Sequence, residues 1–581
     1  MKSRVRTVRF GLRAAGVVGA VGLLVAFAAQ GAAAKSDGRT AAAAGHKCLV
    51  MTGSGDPAFV RNFNPFTSTS TPAGAVIKGA FYEPLIVTTA AGGGHQYPWL
   101  ARSWKWSNGN KTLTLQIAGG VTWSDGKPLT ASDVVYTLTA GKQNKVMDQI
   151  GLYRPGTNIA SVRRKGSSVV IGLKTPDSQF IAANLNTIAV VPQHIWSKVA
   201  DPATFTNPKP VGSGPFDQVG RFTTQDYVLN KNPHYWVPGA PKIPCLEYVQ
   251  ATSNDAALLQ IQSGQVDWTH NFVPNVASAY VAKDKAHFHA FYATTAYPIG
   301  LMLDTTQYPY SLPVLRKAIS MAIDRNQVSK LGEYGYAPPA DAVGLNGLFP
   351  TWVTDPKVKA EAKQLATYNP AAAKKLLTDN GFTYKGSQLI DPKGTPVEIS
   401  PHVISGWSDW VASLQIITKN LKDIGIDSTT KLEPDWNSWY PNASSTKFPT
   451  LLWQVASQGS PYGYFFAMMD QNAYTPAGQD ATTTGNWIHY QNAQATSLLN
   501  KWKVTLDPAG QQKIATQVQQ VWLDQLPMVP LFIGPRWSTY STKYFHCFTS
   551  PANFYGDPIF TTFPDNVLSF TRICPGGQAG L

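Results

Sequence analysis

The sequence predicts a large α/β protein. Three observations predict this class: the length and composition, a strand-rich first half, and a second half in which helices alternate with short strands. The chain has 581 residues, 43% of them apolar and 14% charged, so it can bury several cores and intrinsic disorder is not expected. Beyond residue 34, no apolar run approaches the roughly 20 residues that cross a bilayer. A multispan membrane protein is therefore excluded.

The first 34 residues have the pattern of a secretory signal peptide. Five basic residues precede a charge-free stretch from Ala14 to Ala29, and Ala32 and Ala34 occupy A-x-A positions. We expect cleavage near Ala34; an uncleaved anchor helix is the alternative. Loss of the five basic residues would lower the formal charge from +15 to +10. Residues 35–47 would form a flexible leader, and a lipid anchor is not expected, because no Leu-Ala-Gly sequence precedes Cys48.

Strands and turns are predicted for most of the first half. Residues 104–106 and 112–117 flank an Asn-Gly turn, which favours a hairpin. The segment from Thr130 to Asp133 resembles a capping box at the start of a helix. A second hairpin is predicted over residues 162–174, with its turn at Gly166.

Helices dominate the second half. Apolar residues at helical spacing predict one helix over residues 311–331, and Asn369 and Pro370 begin a second that ends before Gly381. A third helix begins at Ser408 and ends at Gly425, with a strand over residues 426–432. A fourth helical region covers residues 491–525, and Pro508 is a candidate break in it. This alternation favours an α/β lobe.

Signatures of catalysis and of metal or cofactor binding are missing. The sequence has no G-x-S-x-G, no H-E-x-x-H and no phosphate-binding loop. His287 and His289 could share one strand face, but no third metal ligand is identifiable. Neither a metal nor another cofactor is therefore expected. Nucleic-acid binding is not expected either, because the basic residues are scattered. A secreted hydrolase acting on peptides or glycans stays an alternative, since active sites can assemble from distant positions.

The four cysteines predict two disulfides. None lies in a C-x-x-C pair, and an even number in an exported chain fits disulfide bonding. We favour Cys48–Cys245 and Cys547–Cys574, one of three possible pairings.

Aromatic residues are concentrated in polar loops of the second half. They give a large contact area with few rotamers to freeze, which suits a cleft that holds a ligand, although ordinary core packing is the alternative for each of them. These residues are Trp407, Trp410, Trp436, Trp439, Tyr440, Trp453, Tyr462 and Tyr464.

Six ordered motifs resemble one family, the bacterial extracytoplasmic solute-binding proteins of the peptide/opine/nickel class, family 5, which serve ABC importers. The most specific motif is GVTWSDG at residues 120–126, which continues to Tyr136. The others include NPF at 64–66, AFYEPL at 80–85, GSGPF at 212–216, NPHYW at 232–236 and RKAI at 316–319. The resemblance extends over most of residues 48–570.

The resemblance implies a two-lobed periplasmic-binding-protein-like fold with a hinge, whose first lobe is discontinuous and carries an inserted subdomain. The expected limits are residues 48–81 and 212–303 for the first lobe, 82–211 for the inserted subdomain, 304–531 for the α/β second lobe and 532–581 for the return to the first lobe. The implied function is capture of a ligand between the lobes and its delivery to a membrane permease. The resemblance implies a monomer located outside the cytoplasm.

A peptide or modified peptide is the favoured ligand, and an oligosaccharide is the alternative. In peptide-binding relatives, a W-x-x-D segment supplies an aspartate for the ligand's ammonium group, but here Trp453 is followed by Ala456 at that position. Glu83, Asp409 and Asp435 are candidates to replace this aspartate. The expected ligand-binding residues are Asn64, Phe66, Tyr82, Glu83, Trp407, Trp436, Trp453, Gln454, Ala456, Ser457, Gly459, Ser460 and Tyr462.

Overall fold

The computed structural model describes residues 47–67, 76–89, 94–154, 157–185, 187–294, 298–455 and 460–576. The predicted signal peptide and nearly all of the predicted leader lie outside these residues. No helix in the described part of the chain is long and apolar enough to cross a membrane.

A seven-stranded sheet is built from distant parts of the chain. Its central strand, Leu49–Thr52, is parallel to both neighbours, and the remaining pairs are antiparallel. The order across the sheet is Phe288–Ala290, Thr539–Ser541, Trp268–Thr269, Leu49–Thr52, Cys245–Val249, Asp226–Lys231 and Phe216–Phe222.

A five-stranded sheet forms the centre of the second half. Strand His402–Ile404 is parallel to both of its neighbours, whereas the other pairs are antiparallel. The order is Lys431–Glu433, His402–Ile404, Thr450–Gln454, Pro298–Leu303 and Val529–Ile533.

The smaller sheets are all antiparallel. A four-stranded sheet has the order Ala101–Ser107, Thr112–Ile117, Ser168–Leu173 and Ile159–Lys165. The two-stranded sheets pair Ile86–Thr89 with His95–Pro98, Thr383–Lys385 with Gln388–Ile390, and Phe545–His546 with Cys574–Pro575.

Helices pack mainly around the five-stranded sheet, where Leu315, Ile417 and Trp522 belong to one buried core. The α-helices are Ile77–Ala80, Ala131–Thr139, Gln193–Trp196, Asn254–Gln262, Val276–Ala279, Pro313–Ala322, Arg325–Gln327, Pro356–Ala366, Pro370–Asp379, Ser408–Asp423, Trp436–Ser444, Pro461–Met469, Ala493–Val504, Pro508–Gln525 and Asn566–Arg572. Short 3₁₀ turns cover Ala140–Lys142, Lys145–Met147, Val281–Lys283 and Pro350–Trp352, and π turns cover Ile181–Leu185 and Val328–Gly332.

Most of the predicted local elements are confirmed. Both hairpins form, Thr130 and Asp133 make the capping box, and Asn369 caps a helix whose first residue is Pro370. The helical region of residues 491–525 is broken before Pro508. Two predictions were too long. The region expected as one helix over residues 311–331 is interrupted after Ala322, so that helix Pro313–Ala322 is followed by the helical turns Arg325–Gln327 and Val328–Gly332. The strand expected over 426–432 is reduced to Lys431–Glu433.

Two disulfides join the cysteines in the predicted pairing, Cys48–Cys245 and Cys547–Cys574. The first connects the chain just before strand Leu49–Thr52 to its parallel neighbour Cys245–Val249.

The domain limits stay a prediction, but the strand pairing bears on one of them. The family resemblance implies that the first lobe ends at residue 303. Strand Pro298–Leu303, however, pairs with Thr450–Gln454 and Val529–Ile533 and so belongs to the five-stranded sheet.

Candidate functional site

A cavity of about 550 Å³ is lined by residues from both large sheets. Residues that follow strands of the seven-stranded sheet form one wall, and aromatic residues of the five-stranded sheet and its helices form the other. Residues 534–537, which directly follow strand Val529–Ile533, complete the lining together with residues 559 and 561–563. This volume is in the range of ligand pockets in proteins.

Strand direction explains the first wall. Leu49–Thr52 is parallel to Cys245–Val249 and to Trp268–Thr269, so the carboxyl ends of these strands meet at one edge of the sheet. The residues that follow them therefore lie together. They are Gly53, Ser54, Gly55, Asp56, Asn254, His270, Asn271 and Phe272.

The same rule brings three tryptophans together in the second wall. Trp407 follows strand His402–Ile404, Trp436 follows Lys431–Glu433, and Trp453 lies near the end of Thr450–Gln454. These strands are parallel neighbours. The rings of Trp407 and Trp453 are stacked, with centroids 6.1 Å apart, and the Trp436 ring is 5.8 Å from that of Trp453. Trp410 and Tyr440 extend this aromatic wall.

The two walls are in direct contact. The indole Nε1 of Trp407 donates to the Ser54 carbonyl oxygen at 3.2 Å. The backbone N–H of Trp436 donates to the Gly55 carbonyl oxygen at 3.3 Å. Asn254 of the first wall also contacts the second wall, because its amide Nδ2 donates to Asp409 Oδ1 at 3.0 Å. The structure is therefore a closed arrangement of the two walls around the cavity.

Burial changes the pKa of several groups in the cavity. It raises the pKa of Asp56 to about 7, although the Tyr248 hydroxyl donates to this carboxylate at 3.3 Å. Burial, with a smaller contribution from Arg536, lowers the pKa of His270 to about 4, so its imidazole is neutral at pH 7. Arg536 forms an ion pair with Asp557, with 3.0 Å between Nε and Oδ2.

Asp409 belongs to a buried pair of carboxyl groups. Burial raises its pKa, and burial together with the charge of Asp409 raises the pKa of Glu333 well above its usual range. The Glu333 carboxylate accepts a hydrogen bond from Ser413 Oγ at 2.7 Å. Of the candidates to replace the missing aspartate, Asp409 lines the cavity, whereas Asp435 caps a helix by accepting from the Ser438 N–H at 2.9 Å.

Four of the expected ligand-binding residues line the cavity: Trp407, Trp436, Trp453 and Gln454. Two others from the same half lie elsewhere. Ser460 caps helix Pro461–Met469, and the Tyr462 ring is buried 5.8 Å from that of Trp502. Ala456, Ser457 and Gly459 fall outside the described residues.

The four residues expected from the first lobe lie outside the cavity lining and support the local fold. Asn64 is fully buried and donates to the carbonyls of Pro202 and Phe205, while the Phe66 ring packs edge-on to that of Trp196.

Tyr82 and Glu83 are fully buried as well. The Tyr82 hydroxyl accepts from Asn207 Nδ2 at 2.8 Å. Glu83 accepts hydrogen bonds from four side chains, Trp99, Ser213, Tyr235 and Trp236. Both residues are therefore structural in this arrangement.

Asp56, His270, Arg536 and Trp537 line the cavity but were missed by the sequence reasoning. A Gly-Ser-Gly-Asp run directly after the short segment Leu-Val-Met-Thr is a signal that could have identified Asp56. Arg536 and Trp537 follow the apolar segment 529–533, but only the strand order shows that this segment runs to the cavity. No group of three or more His, Cys, Asp or Glu within the described ranges could hold a metal ion.

Comparison with known proteins decides the family. The family model for "Bacterial extracellular solute-binding proteins, family 5 Middle" matches residues 95–476, which is more than half of the chain. The chain belongs to this family. The family-5 assignment accounts for the mixed α/β architecture and the two walls, because structures similar to this chain are two-lobed periplasmic binding proteins.

Individual relatives of this family-5 protein have low sequence identity to it, but they match it over most of its length. It is 25% identical to the oligopeptide-binding protein AppA of Bacillus subtilis over 451 residues, 74% of this chain and 77% of AppA. It is 25% identical to the glutathione-binding protein GsiB of Salmonella choleraesuis over 459 residues, 76% of this chain and 81% of GsiB. A mannohexaose-bound periplasmic oligopeptide-binding protein of Thermotoga maritima has a TM-score of 0.82 at 25% identity and covers 92% of this chain and 100% of its own.

Proposed function

We propose that this family-5 protein captures a peptide or modified peptide between its two walls and delivers it to an ABC transporter permease. One observation carries the proposal. A cavity of about 550 Å³ is lined by both large sheets and combines aromatic faces with the carboxylates of Asp56 and Asp409. Aromatic faces suit the apolar parts of a peptide, and carboxylates suit its cationic groups. The names of AppA and GsiB, both peptide-binding relatives, support this ligand class.

Capture without chemical change follows from this proposal. The family consists of solute-binding proteins. A ligand that touches both walls favours the closed state, since only that state offers both sets of contacts. The ligand then leaves the cavity unaltered when the walls separate.

Native mass spectrometry of the protein exported by its own host tests the proposal. We expect a bound species whose mass and fragmentation identify a peptide, and the same mass after long incubation. Recovery of cleaved products would instead support the alternative of a secreted hydrolase. Small-angle scattering with and without the identified peptide should differ, because closure reduces the radius of gyration.

An oligosaccharide is the second candidate ligand. The stacked faces of Trp407 and Trp453 favour it, because sugar rings pack on such surfaces, and the similar protein from Thermotoga maritima was crystallised with mannohexaose. Titration with mannohexaose separates the candidates. Binding of this sugar without binding of any peptide would replace the first proposal with the second.

We also propose an exported monomer with residues 1–34 as its signal peptide and no lipid anchor. The sulfur of Cys48 is bonded to Cys245, so a thioether to lipid cannot form on it in this state. For the domain limits, we propose that the second lobe begins at or before Pro298, since strand Pro298–Leu303 pairs within the five-stranded sheet.

A further inference from the structure

Asp56 is a partly buried carboxylate of the cavity lining and has no countercharge. Its backbone is held on both sides, because the N–H donates to the Ala251 carbonyl and the Asp56 carbonyl accepts from Gln250 Nε2. Its carboxylate accepts hydrogen bonds from neutral groups, the Tyr248 hydroxyl and the backbone of Ala251. No ion pair involves Asp56 within the described part of the chain.

The other charged groups that line the cavity have partners of their own. The Asp409 carboxylate accepts from Asn254 and from the Trp537 side chain. Arg536 is paired with Asp557. A partly buried carboxylate without a countercharge is costly, and a cation brought by the ligand would remove that cost.

The Trp407 side chain of the opposite wall contacts the loop that carries Asp56. A methyl group added at Gly55, next to Asp56, would lie 2.8 Å from Trp407 Nε1, so only glycine permits this approach. The Trp436 backbone N–H donates to the Gly55 carbonyl, which brings the start of helix Trp436–Ser444 to the same loop. A carboxylate that lines the same cavity as tryptophan rings is suited to an ammonium or guanidinium group, which gains ionic and cation–π attraction together.

We propose that Asp56, together with Trp407 and Trp436, holds a cationic group of the ligand. This inference rests on the proposed function, because it assigns a chemical class to the ligand captured in the same cavity. The cation can be a peptide amino terminus or the side chain of a lysine or arginine. A neutral oligosaccharide has no cationic group to pair with the Asp56 carboxylate.

Three randomised tetrapeptide libraries test the inference by native mass spectrometry of the full exported chain. The first has free amino termini, the second is N-acetylated, and the third is N-acetylated and lacks lysine and arginine. We expect wild-type protein to retain peptides from the first library and to retain few or none from the third. Retention from the second library of peptides rich in lysine or arginine would identify a side chain as the source of the cation.

Asp56→Asn is the decisive variant. We expect it to weaken the binding of retained cationic peptides by roughly tenfold or more and to abolish the preference for the first library over the third. Its melting temperature should be unchanged or higher, because the substitution removes a partly buried charge that has no countercharge. Asp255→Asn is the matched control, since Asp255 is exposed on helix Asn254–Gln262 and the substitution makes the same change in charge. The control should keep both affinity and preference.

The outcomes separate this inference from the proposed function. Equal retention from the first and third libraries, or an unchanged preference in Asp56→Asn, would overturn the role of Asp56 and leave peptide capture intact. If no peptide from any library is retained, peptide capture itself is refuted and the inference fails with it.

Discussion

Glu83 shows how a carboxylate suggested by a motif can serve the fold. Its carboxylate accepts hydrogen bonds from side chains of three separate segments: Trp99, Ser213, Tyr235 and Trp236. It therefore ties the start of the four-stranded sheet to loops next to the seven-stranded sheet. The sequence predicted a binding residue here, because a match to a family motif does not distinguish a ligand-binding role from a structural one.

Removal of the Glu83 side chain should destabilise the protein strongly. We expect Glu83→Ala to lower the free energy of unfolding by about 3 kcal/mol or more, since several buried donors would lose their acceptor. Urea unfolding measures this change. Ligand affinity, determined at a temperature where the variant is folded, should stay close to that of the wild type. A large loss of affinity with normal stability would contradict this prediction and indicate that Glu83 binds the ligand.

Glu83 should also give stability a dependence on pH. Burial raises its pKa from 4.5 to about 7, so between these values the folded state binds more protons than the unfolded state. This group therefore makes the free energy of unfolding fall as pH rises from about 4.5 to 7. The wild-type curve contains other groups, including Asp56, so the difference between wild type and Glu83→Gln isolates it. Parallel curves for the two proteins would contradict the assignment.

Helix caps were the most predictable elements, because a cap is a local feature of a few residues. Asn369 with Pro370 identified one helix start, and Thr130 with Asp133 identified another. Helix ends set by tertiary contacts were not predictable. The helix that begins at Pro313 stops at Ala322 because Ile323 is extended and the Asp324 N–H donates to the Asn420 side chain, about 100 residues away in sequence.

The cap at Asp435 offers a test at the level of one helix. Asp435→Ala should destabilise helix Trp436–Ser444 by about 1 kcal/mol and weaken ligand binding, because Trp436 is the first residue of that helix. Asp435→Asn should retain both, since asparagine is also a good cap. Thermal unfolding and a binding titration measure the two effects. If the asparagine variant binds as weakly as the alanine variant, the charge of Asp435 matters instead of the cap.

Across the whole molecule, half of the cavity could be predicted. The aromatic wall could be predicted because Trp407, Trp436 and Trp453 lie within one stretch of the sequence that is rich in tryptophan and tyrosine. The opposite wall was not, because Asp56, Asn254 and His270 meet only through the order of parallel strands in the seven-stranded sheet. Local sequence patterns do not reveal that order, because the strands are far apart in the chain.

Asn254 connects the two walls and should influence how far they open. Its side chain donates to Ser408 Oγ and to Asp409 Oδ1, at 3.2 and 3.0 Å. We expect Asn254→Ala to increase the radius of gyration of the ligand-free protein in solution scattering, because the closed state loses both bonds. Gln262→Ala is the control, since Gln262 lies on the same helix but donates to Ala279 of its own wall. Identical scattering from all three proteins would exclude this role for Asn254.

The order of strands has a consequence for synthesis. Strand Thr539–Ser541 separates Phe288–Ala290 from Trp268–Thr269, and Val529–Ile533 forms one edge of the five-stranded sheet. Both are translated long after their partners. A polypeptide that stops on the ribosome before residue 529 therefore has neither sheet finished and exposes unpaired backbone groups in each. Premature termination should give aggregating fragments instead of a stable half-protein.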